Sequence, residues 1–227
     1  MRTTTRHCAF TLIELLTVIS IIGILMSFIF AGSTAALTAT RRAKAAAAVR
    51  NIAHSVRAYS LDYGKYPPVA AASGPDENQV IIVGEKAALA TESNAGLFNV
   101  LRSIPVGKNE NHALNPRRQR YYEDAVAKSS RPVRAGFADG TVFAPEIAGC
   151  YFDPWGWQYT IVMDADGDDT LDLGLLYSDL AGPGNVVRQN PAVLSLAADG
   201  IRGAKGYEGL SQKAGGSTPP DDLFSWR

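Results

Sequence analysis

Residues 12–31, LIELLTVISIIGILMSFIFA, decide the fold and form the densest part of an apolar stretch that runs from Ala9 to Ala36. A helix needs about 20 predominantly apolar residues to cross a bilayer, whereas the apolar region of a cleavable secretion signal has about 7–15. The stretch is long enough to span, so we predict a transmembrane helix over residues 10–36. A secretory signal peptide that is removed near Ala31 or Ala36 is the alternative.

One carboxylate, Glu14, interrupts this apolar stretch. An ionisable side chain is costly inside a bilayer, so its presence in an apolar helix predicts a function and a partner. The alternative is a side chain close enough to the end of the helix to reach the lipid headgroups.

The helix is predicted to continue beyond the apolar stretch to about Tyr63. Residues 43–48 are strong helix formers, and the apolar residues that follow recur every three or four positions, as on one face of a helix: Val49, Ile52, Val56, Tyr59 and Tyr63. Gly64, Pro67 and Pro68 are expected to end it. This second half should pack on a folded domain.

The segment around Glu14, Ala9-Phe10-Thr11-Leu12-Ile13-Glu14-Leu15-Leu16, resembles the processing site of type IV prepilins and pseudopilins. The resemblance implies that a membrane prepilin peptidase cuts between Ala9 and Phe10 and that the new amino terminus of Phe10 is methylated. It also implies that Glu14 attracts the terminal amine of a neighbouring subunit. The family usually has glycine before the cut, where this chain has Ala9.

Basic residues flank the apolar stretch on both sides, with Arg2 and Arg6 before it and Arg41, Arg42 and Lys44 after it. Charge bias therefore does not set the orientation. The resemblance implies a single-pass inner-membrane protein with a cytoplasmic amino terminus and a periplasmic domain. It divides the chain into a leader at 1–9, a transmembrane and assembly half of the helix at 10–36, an amphipathic half at 37–64 and a globular domain at 65–227.

A second resemblance lies at Asp153-Pro154-Trp155-Gly156-Trp157-Gln158-Tyr159, which is similar to the Asp-Pro-Trp-Gly turn before a strand in major pseudopilins. Residues 159–163 alternate as a strand does. Physically the motif is a Pro-Gly turn with core aromatics, so we interpret it as a family fingerprint without chemistry of its own.

Between the helix and this motif, residues 69–150 give mixed signals. Residues 80–83 are a predicted strand, residues 85–101 are predicted to be partly helical, and loops are expected elsewhere. We interpret this part as an enlarged connection and assign it no role. The predicted fold class is α+β: one long amino-terminal α-helix packed on a small antiparallel β-sheet.

The carboxy-terminal region resembles the calcium loop of major pseudopilins. Residues 195–200 are SLAADG, and DDLFSW follows at 221–226 after a glycine-rich stretch. The resemblance implies calcium ligands from the side chains of Asp199 and Asp222 and from the carbonyl of Leu196. Where the family has a small polar residue this chain has Phe224, so a carbonyl, Asp221 or water would replace it. A flexible tail is the alternative, but the Trp at position 226 favours a packed loop.

A second acidic segment, DADGDDTLD at residues 164–172, has oxygen ligands at alternate positions. Its candidate ligands are Asp164, Asp166, Asp168 and Asp172. This spacing is similar to the start of an EF-hand loop, but Asp169 stands where glycine is expected and Leu175 where glutamate is expected. We favour a solvated turn between strands and keep a second metal site as the alternative.

The composition and the residue pattern argue against several classes of function. The 22 basic and 22 acidic residues balance, so no overall field attracts nucleic acid. Cys8 and Cys150 lie on opposite sides of the apolar stretch, which argues against a structural disulfide. The sequence shows no Ser/His/Asp set, phosphate loop or paired catalytic acids, so we predict that the chain is not an enzyme.

Taken with the resemblances, these observations predict a structural subunit of a type II secretion pseudopilus. Such a subunit assembles with its own copies into a periplasmic filament, and the resemblance implies an inner-membrane assembly platform and minor pseudopilins as further partners. A type IV pilus subunit for adhesion or DNA uptake is the first alternative. A membrane-anchored calcium-dependent binding module or hydrolase that uses residues 164–172 is the second.

Overall fold

The computed structural model describes residues 11–74, 79–128, 131–177, 186–187, 190–202 and 222–225. The chain divides into two compact units, Met1–Thr40 and Arg41–Arg227. A single helix, α1 (Leu12–Tyr63), begins in the first unit and ends in the second.

Helix α1 ends where the sequence predicts. Gly64 follows its last residue with a φ of +70°, a left-handed conformation that glycine adopts without strain. The Gly64 amide donates to the carbonyl of Ser60 at 2.8 Å and closes the last turn. The two prolines a few residues later cannot continue a helix. Local signals therefore fix this boundary.

In the first unit, the large apolar side chains described on α1 are exposed, among them Leu12, Ile19 and Leu25. Among the residues that the structure describes, none of the helices is long and apolar enough to cross a membrane. The transmembrane helix over residues 10–36 therefore stays a prediction.

The second unit is built on a five-stranded antiparallel sheet. Its strands, given in the order in which they lie side by side, are β1 (Ala72–Ser73), β2 (Val80–Val83), β5 (Thr160–Asp164), β8 (Ala192–Ser195) and β9 (Leu223–Phe224). Two small antiparallel pairs join β3 (Gly136–Phe137) to β4 (Tyr151–Phe152) and β6 (Leu171–Asp172) to β7 (Val186–Val187).

The remaining helices are short. They are α2 (Ala95–Leu101) and 3₁₀ segments at Lys86–Ala88, Gly107–His112, Pro145–Ile147 and Leu173–Leu175. The predicted strand at residues 80–83 and the partly helical character of residues 85–101 are both found. The predicted α+β class, a long amino-terminal helix packed on a small antiparallel sheet, is confirmed.

Strand β5 lies at the centre of the sheet, and all five of its residues are buried. Ile161 and Met163 pack in one cluster with Val49, Ile52 and Val56 of α1. Val162 points to the opposite face, in a second cluster with residues of the 171–177 segment. Both faces of the sheet are thus covered, which is why β5 is apolar at every position from 161 to 163.

The connection over residues 69–150 contributes to the core. Four residues of α2 are buried, and they pack in the same cluster as α1: Leu97, Phe98, Val100 and Leu101. Just before α2, the buried Asn94 side chain donates to the carbonyls of Tyr151 and Tyr159 at 2.9 and 3.0 Å, and it accepts from the Tyr151 amide at 3.0 Å. This segment is therefore part of the folded unit and not only a loop.

Candidate functional site

Glu14 lies in the first turn of α1, where its carboxylate caps the helix. Glu14 Oε2 accepts hydrogen bonds from the amide of Thr11 at 2.8 Å and from its hydroxyl at 2.7 Å. The Thr11 hydroxyl in turn accepts from the Glu14 amide at 3.3 Å. This reciprocal arrangement is a capping box, and its Thr-x-x-Glu signature was readable in the sequence. The predicted processing residues Ala9 and Phe10 lie outside the described residues.

The turn at residues 153–157, here named the Asp-Pro-Trp-Gly turn, is organised by one buried carboxylate. Asp153 is fully buried, and its Oδ1 accepts from the amides of Trp155, Gly156 and Trp157 at 2.9, 2.8 and 3.0 Å. Its Oδ2 accepts from the Ser195 hydroxyl at 2.6 Å. Burial raises the pKa of the Asp153 carboxyl above its ordinary value, while the hydrogen bonds that it accepts oppose the shift.

Strand pairing brings two of the predicted calcium ligands together. In the β8–β9 ladder Ser195 pairs with Leu223, so the next position places Leu196 opposite Asp222. Asp222 is buried, and its Oδ2 accepts from the Tyr177 hydroxyl at 2.9 Å. Main-chain carbonyls and carboxylates are the oxygen donors that a hard cation takes in proteins.

The third predicted ligand, Asp199, lies in the turn that follows β8. Its side chain is exposed, and Asp199 Oδ1 accepts from the Ile201 amide at 2.9 Å. The turn contains two left-handed residues, Ala197 and Gly200, with φ of +50° and +66°. Asp221, which was predicted as an additional ligand, and Trp226 lie outside the described residues. The placed members, Leu196, Asp199 and Asp222, all lie where β8 and β9 end, as the predicted calcium loop requires, and calcium binding there stays a prediction.

The acidic segment after β5 forms a hydrogen-bonded turn. Asp164 is buried: its Oδ1 accepts from the amides of Asp166 and Gly167, and its Oδ2 accepts from the Asp169 amide and the Asn190 side chain. Burial raises the pKa of the Asp164 carboxyl. Carboxylate oxygens of Asp164, Asp166 and Asp168 lie within 4.8 Å of one another.

This acidic turn meets one requirement of an EF-hand loop that its sequence lacked. Asp169, which stands where such a loop has glycine, has a φ of +61° and so adopts the left-handed conformation that the glycine would supply. The side chain of the fourth candidate, Asp172, is not among those described. The hydrogen bonds that Asp164 accepts account for the shape of the turn without a cation, and a second metal site stays the alternative to the favoured solvated turn.

The two acidic sites lie at opposite ends of the sheet. Asp164 faces Asn190, just before β8, and its amide donates to the Asn190 side chain at 3.2 Å. Leu196 follows β8 at its other end. The strand β8 lies between Asn190 and Leu196, and its four residues alone span roughly 13 Å at about 3.3 Å per residue. One cation cannot serve both sites.

One polar pair, Ser103 and His112, could not be predicted from the sequence. The Ser103 hydroxyl lies 3.2 Å from His112 Nδ1, in a loop where both residues have a positive φ. A serine nucleophile needs such a base, but the base also needs an orienting group. Within the described residues, His112 makes no hydrogen bond to a carboxylate, so the pair lacks the third member of a triad.

Comparison with known families gives one match. Residues 4–30 match the prokaryotic N-terminal methylation motif, a segment that contains Ala9, Phe10 and the capping box of Glu14. Comparisons with curated proteins and with solved structures gave no match. The motif marks structural pilin-like proteins, which are generally not enzymes. Its presence identifies residues 4–30 as the prepilin cleavage signal of type IV pilins and pseudopilins.

Proposed function

We propose that this chain is a structural subunit of a type II secretion pseudopilus. The observation that supports a pilin-like subunit is the methylation motif at residues 4–30. A prepilin peptidase cuts between Ala9 and Phe10, and the new amino terminus is methylated. The subunit then stays in the inner membrane through residues 10–36, with its folded unit in the periplasm, until the assembly platform extracts it into a filament.

The apolar surface of α1 supports an assembly role. Its large side chains between positions 12 and 26 are exposed in the single chain. An apolar surface of this kind has to meet lipid or other protein, because leaving it in water is unfavourable. In the proposed cycle, lipid covers this surface before extraction and other copies of α1 cover it in the filament.

Calcium is part of the proposal. The carbonyl of Leu196 and the carboxylates of Asp199 and Asp222 would hold the ion, with Asp221 or water as further donors. A bound cation neutralises two carboxylates that would otherwise repel each other, and it ties β9 to the turn after β8. The ion would therefore act on the stability of the carboxy-terminal part of the sheet.

A type IV pilus subunit is the main competing function, because the methylation motif is common to pilins and pseudopilins. Two features favour the pseudopilus: the Asp-Pro-Trp-Gly turn resembles that of major pseudopilins, and β8–β9 pairing puts Leu196 beside Asp222 as the resemblance to their calcium loop requires. In the proposed pseudopilus, the minor pseudopilins are further subunits of the same filament.

Removal of the gene from its source organism separates the two functions. For a pseudopilin, we expect proteins to be lost from the culture medium and to accumulate in the periplasm, with surface pili unchanged. Quantitative proteomics of both fractions measures this, and the gene supplied in trans should restore export. Normal export together with loss of surface pili, adhesion or DNA uptake would instead identify a pilus subunit.

A further inference from the structure

The Asp-Pro-Trp-Gly turn and the carboxy-terminal loop meet at the same end of the sheet. Strands β5 and β8 are antiparallel, and Thr160 pairs with Leu194. The turn that precedes β5 therefore lies beside the residues that follow β8. Neither segment's sequence reveals this proximity, because the two contacting residues, Asp153 and Ser195, are 42 positions apart.

Asp153 connects the two segments through its two carboxylate oxygens. One oxygen holds the amides of the Asp-Pro-Trp-Gly turn, and the other accepts the Ser195 hydroxyl proton at 2.6 Å. The Ser195 oxygen also accepts from the Ala197 amide at 3.2 Å, so the hydroxyl continues the chain of hydrogen bonds into the loop. Asp153 and Ser195 are both fully buried, and this burial shields their hydrogen bonds from competing water.

A second contact comes from Trp157 of the same turn. A Cβ atom added at Gly200 would collide with the Trp157 ring, so the ring packs directly on the glycine backbone. Gly200 also has a φ of +66°, which disfavours other residues. Thus the loop is held at its start by Asp153 and at its end by Trp157, and Leu196 and Asp199 lie between the two contacts.

We propose that Asp153 is the positioning residue of the carboxy-terminal loop: through Ser195 it fixes residues 195–200 so that Leu196 and Asp199 stand ready for a cation. Only the cation in this role depends on the proposed function. The support of residues 195–200 by Asp153 does not depend on it. The Asp-Pro-Trp-Gly motif is then more than a turn, because it is the support on which the loop is built.

The test uses Ser195→Ala, because Asp153→Ala would also remove the partner of three amides and could unfold the turn. In the full-length chain in detergent and without calcium, hydrogen exchange measured by mass spectrometry should be at least about tenfold faster for residues 196–201 in Ser195→Ala. Exchange of the α1 segment that contains Val49, Ile52 and Val56 should not change. Gly200→Ala, which disturbs the Trp157 contact, should have the same local effect.

The matched control is Ser55→Ala, which likewise removes a buried serine hydroxyl but lies in α1, where that hydroxyl donates to the carbonyl of Asn51. Ser55→Ala should leave exchange of residues 196–201 unchanged. The calcium dissociation constant, measured by calorimetry, should rise about tenfold in Ser195→Ala and stay constant in Ser55→Ala. Wild-type exchange in Ser195→Ala would overturn the role of Asp153. A wild-type chain that binds no calcium would overturn the calcium loop alone, since the exchange comparison uses no calcium.

Discussion

Glu14→Ala is expected to leave the subunit in the membrane and to lower the yield of sheared filaments by at least about 100-fold. Removing one partner of a buried ion pair costs about 3–5 kcal/mol, and each 1.4 kcal/mol is about a factor of ten in an equilibrium constant. The deleted carboxylate is the proposed partner of a neighbour's methylated amine, whereas its removal makes insertion into lipid easier. Membrane fractionation and shearing measure the two properties separately.

The capping box makes Glu14→Gln the informative control. Glutamine can replace glutamate at this position of a capping box, so it keeps the hydrogen bonds to Thr11 while it removes the charge. If pairing with the amine drives assembly, Glu14→Gln should fail as Glu14→Ala does. Restored filaments in Glu14→Gln would show that the carboxylate serves only to cap α1 and would contradict the proposed ion pair.

Calcium is expected to raise the melting temperature of the full-length chain in detergent by about 5–10 °C. A ligand at 100 times its dissociation constant that binds only the folded state adds about 2.7 kcal/mol, and about 1 kcal/mol corresponds to roughly 2–4 °C in a chain of this size. Asp199→Ala and Asp222→Ala should each abolish the calcium-dependent shift. Scanning fluorimetry with calcium and with a chelator gives the difference directly.

Two control variants show which acidic site binds the calcium that raises the melting temperature. Tyr177→Phe removes the hydrogen bond to Asp222 but no carboxylate, so it should lower the melting temperature with and without calcium and keep the shift. Asp166→Ala changes the acidic turn at the other end of the sheet and should keep the shift as well. Loss of the shift in Asp166→Ala alone would place the cation in the acidic turn and contradict the carboxy-terminal loop.

The features that the sequence predicted correctly depend on local signals. The end of α1 follows from Gly64 and the prolines behind it, strand β2 follows from the apolar run at residues 80–83, and β5 follows from the strand pattern of residues 159–163. These patterns are set within a few residues. The capping box of Thr11 and Glu14 is equally local, because its Thr-x-x-Glu signature spans four residues.

The features that could not be predicted depend on contacts between distant residues. The Asn94 side chain donates to the carbonyls of Tyr151 and Tyr159, which are 57 and 65 positions away. These bonds attach the connection over residues 69–150 to the core. Asp153 likewise finds Ser195 across the sheet. Propensity and periodicity carry no information on such pairings. Asp169 is a different case. It stands where an EF-hand loop has glycine, and it still adopts the left-handed backbone conformation that the glycine would supply.

The mass of the mature chain tests the central claim most directly. Protein extracted from the membrane of its source organism should have the mass of residues 10–227 plus one methyl group, with the methyl group on the amine of Phe10. Fragmentation of the intact ion places the methyl group. A mature chain that begins near Ala31 or Ala36, or an unprocessed chain that still carries residues 1–9, would contradict a prepilin-type subunit.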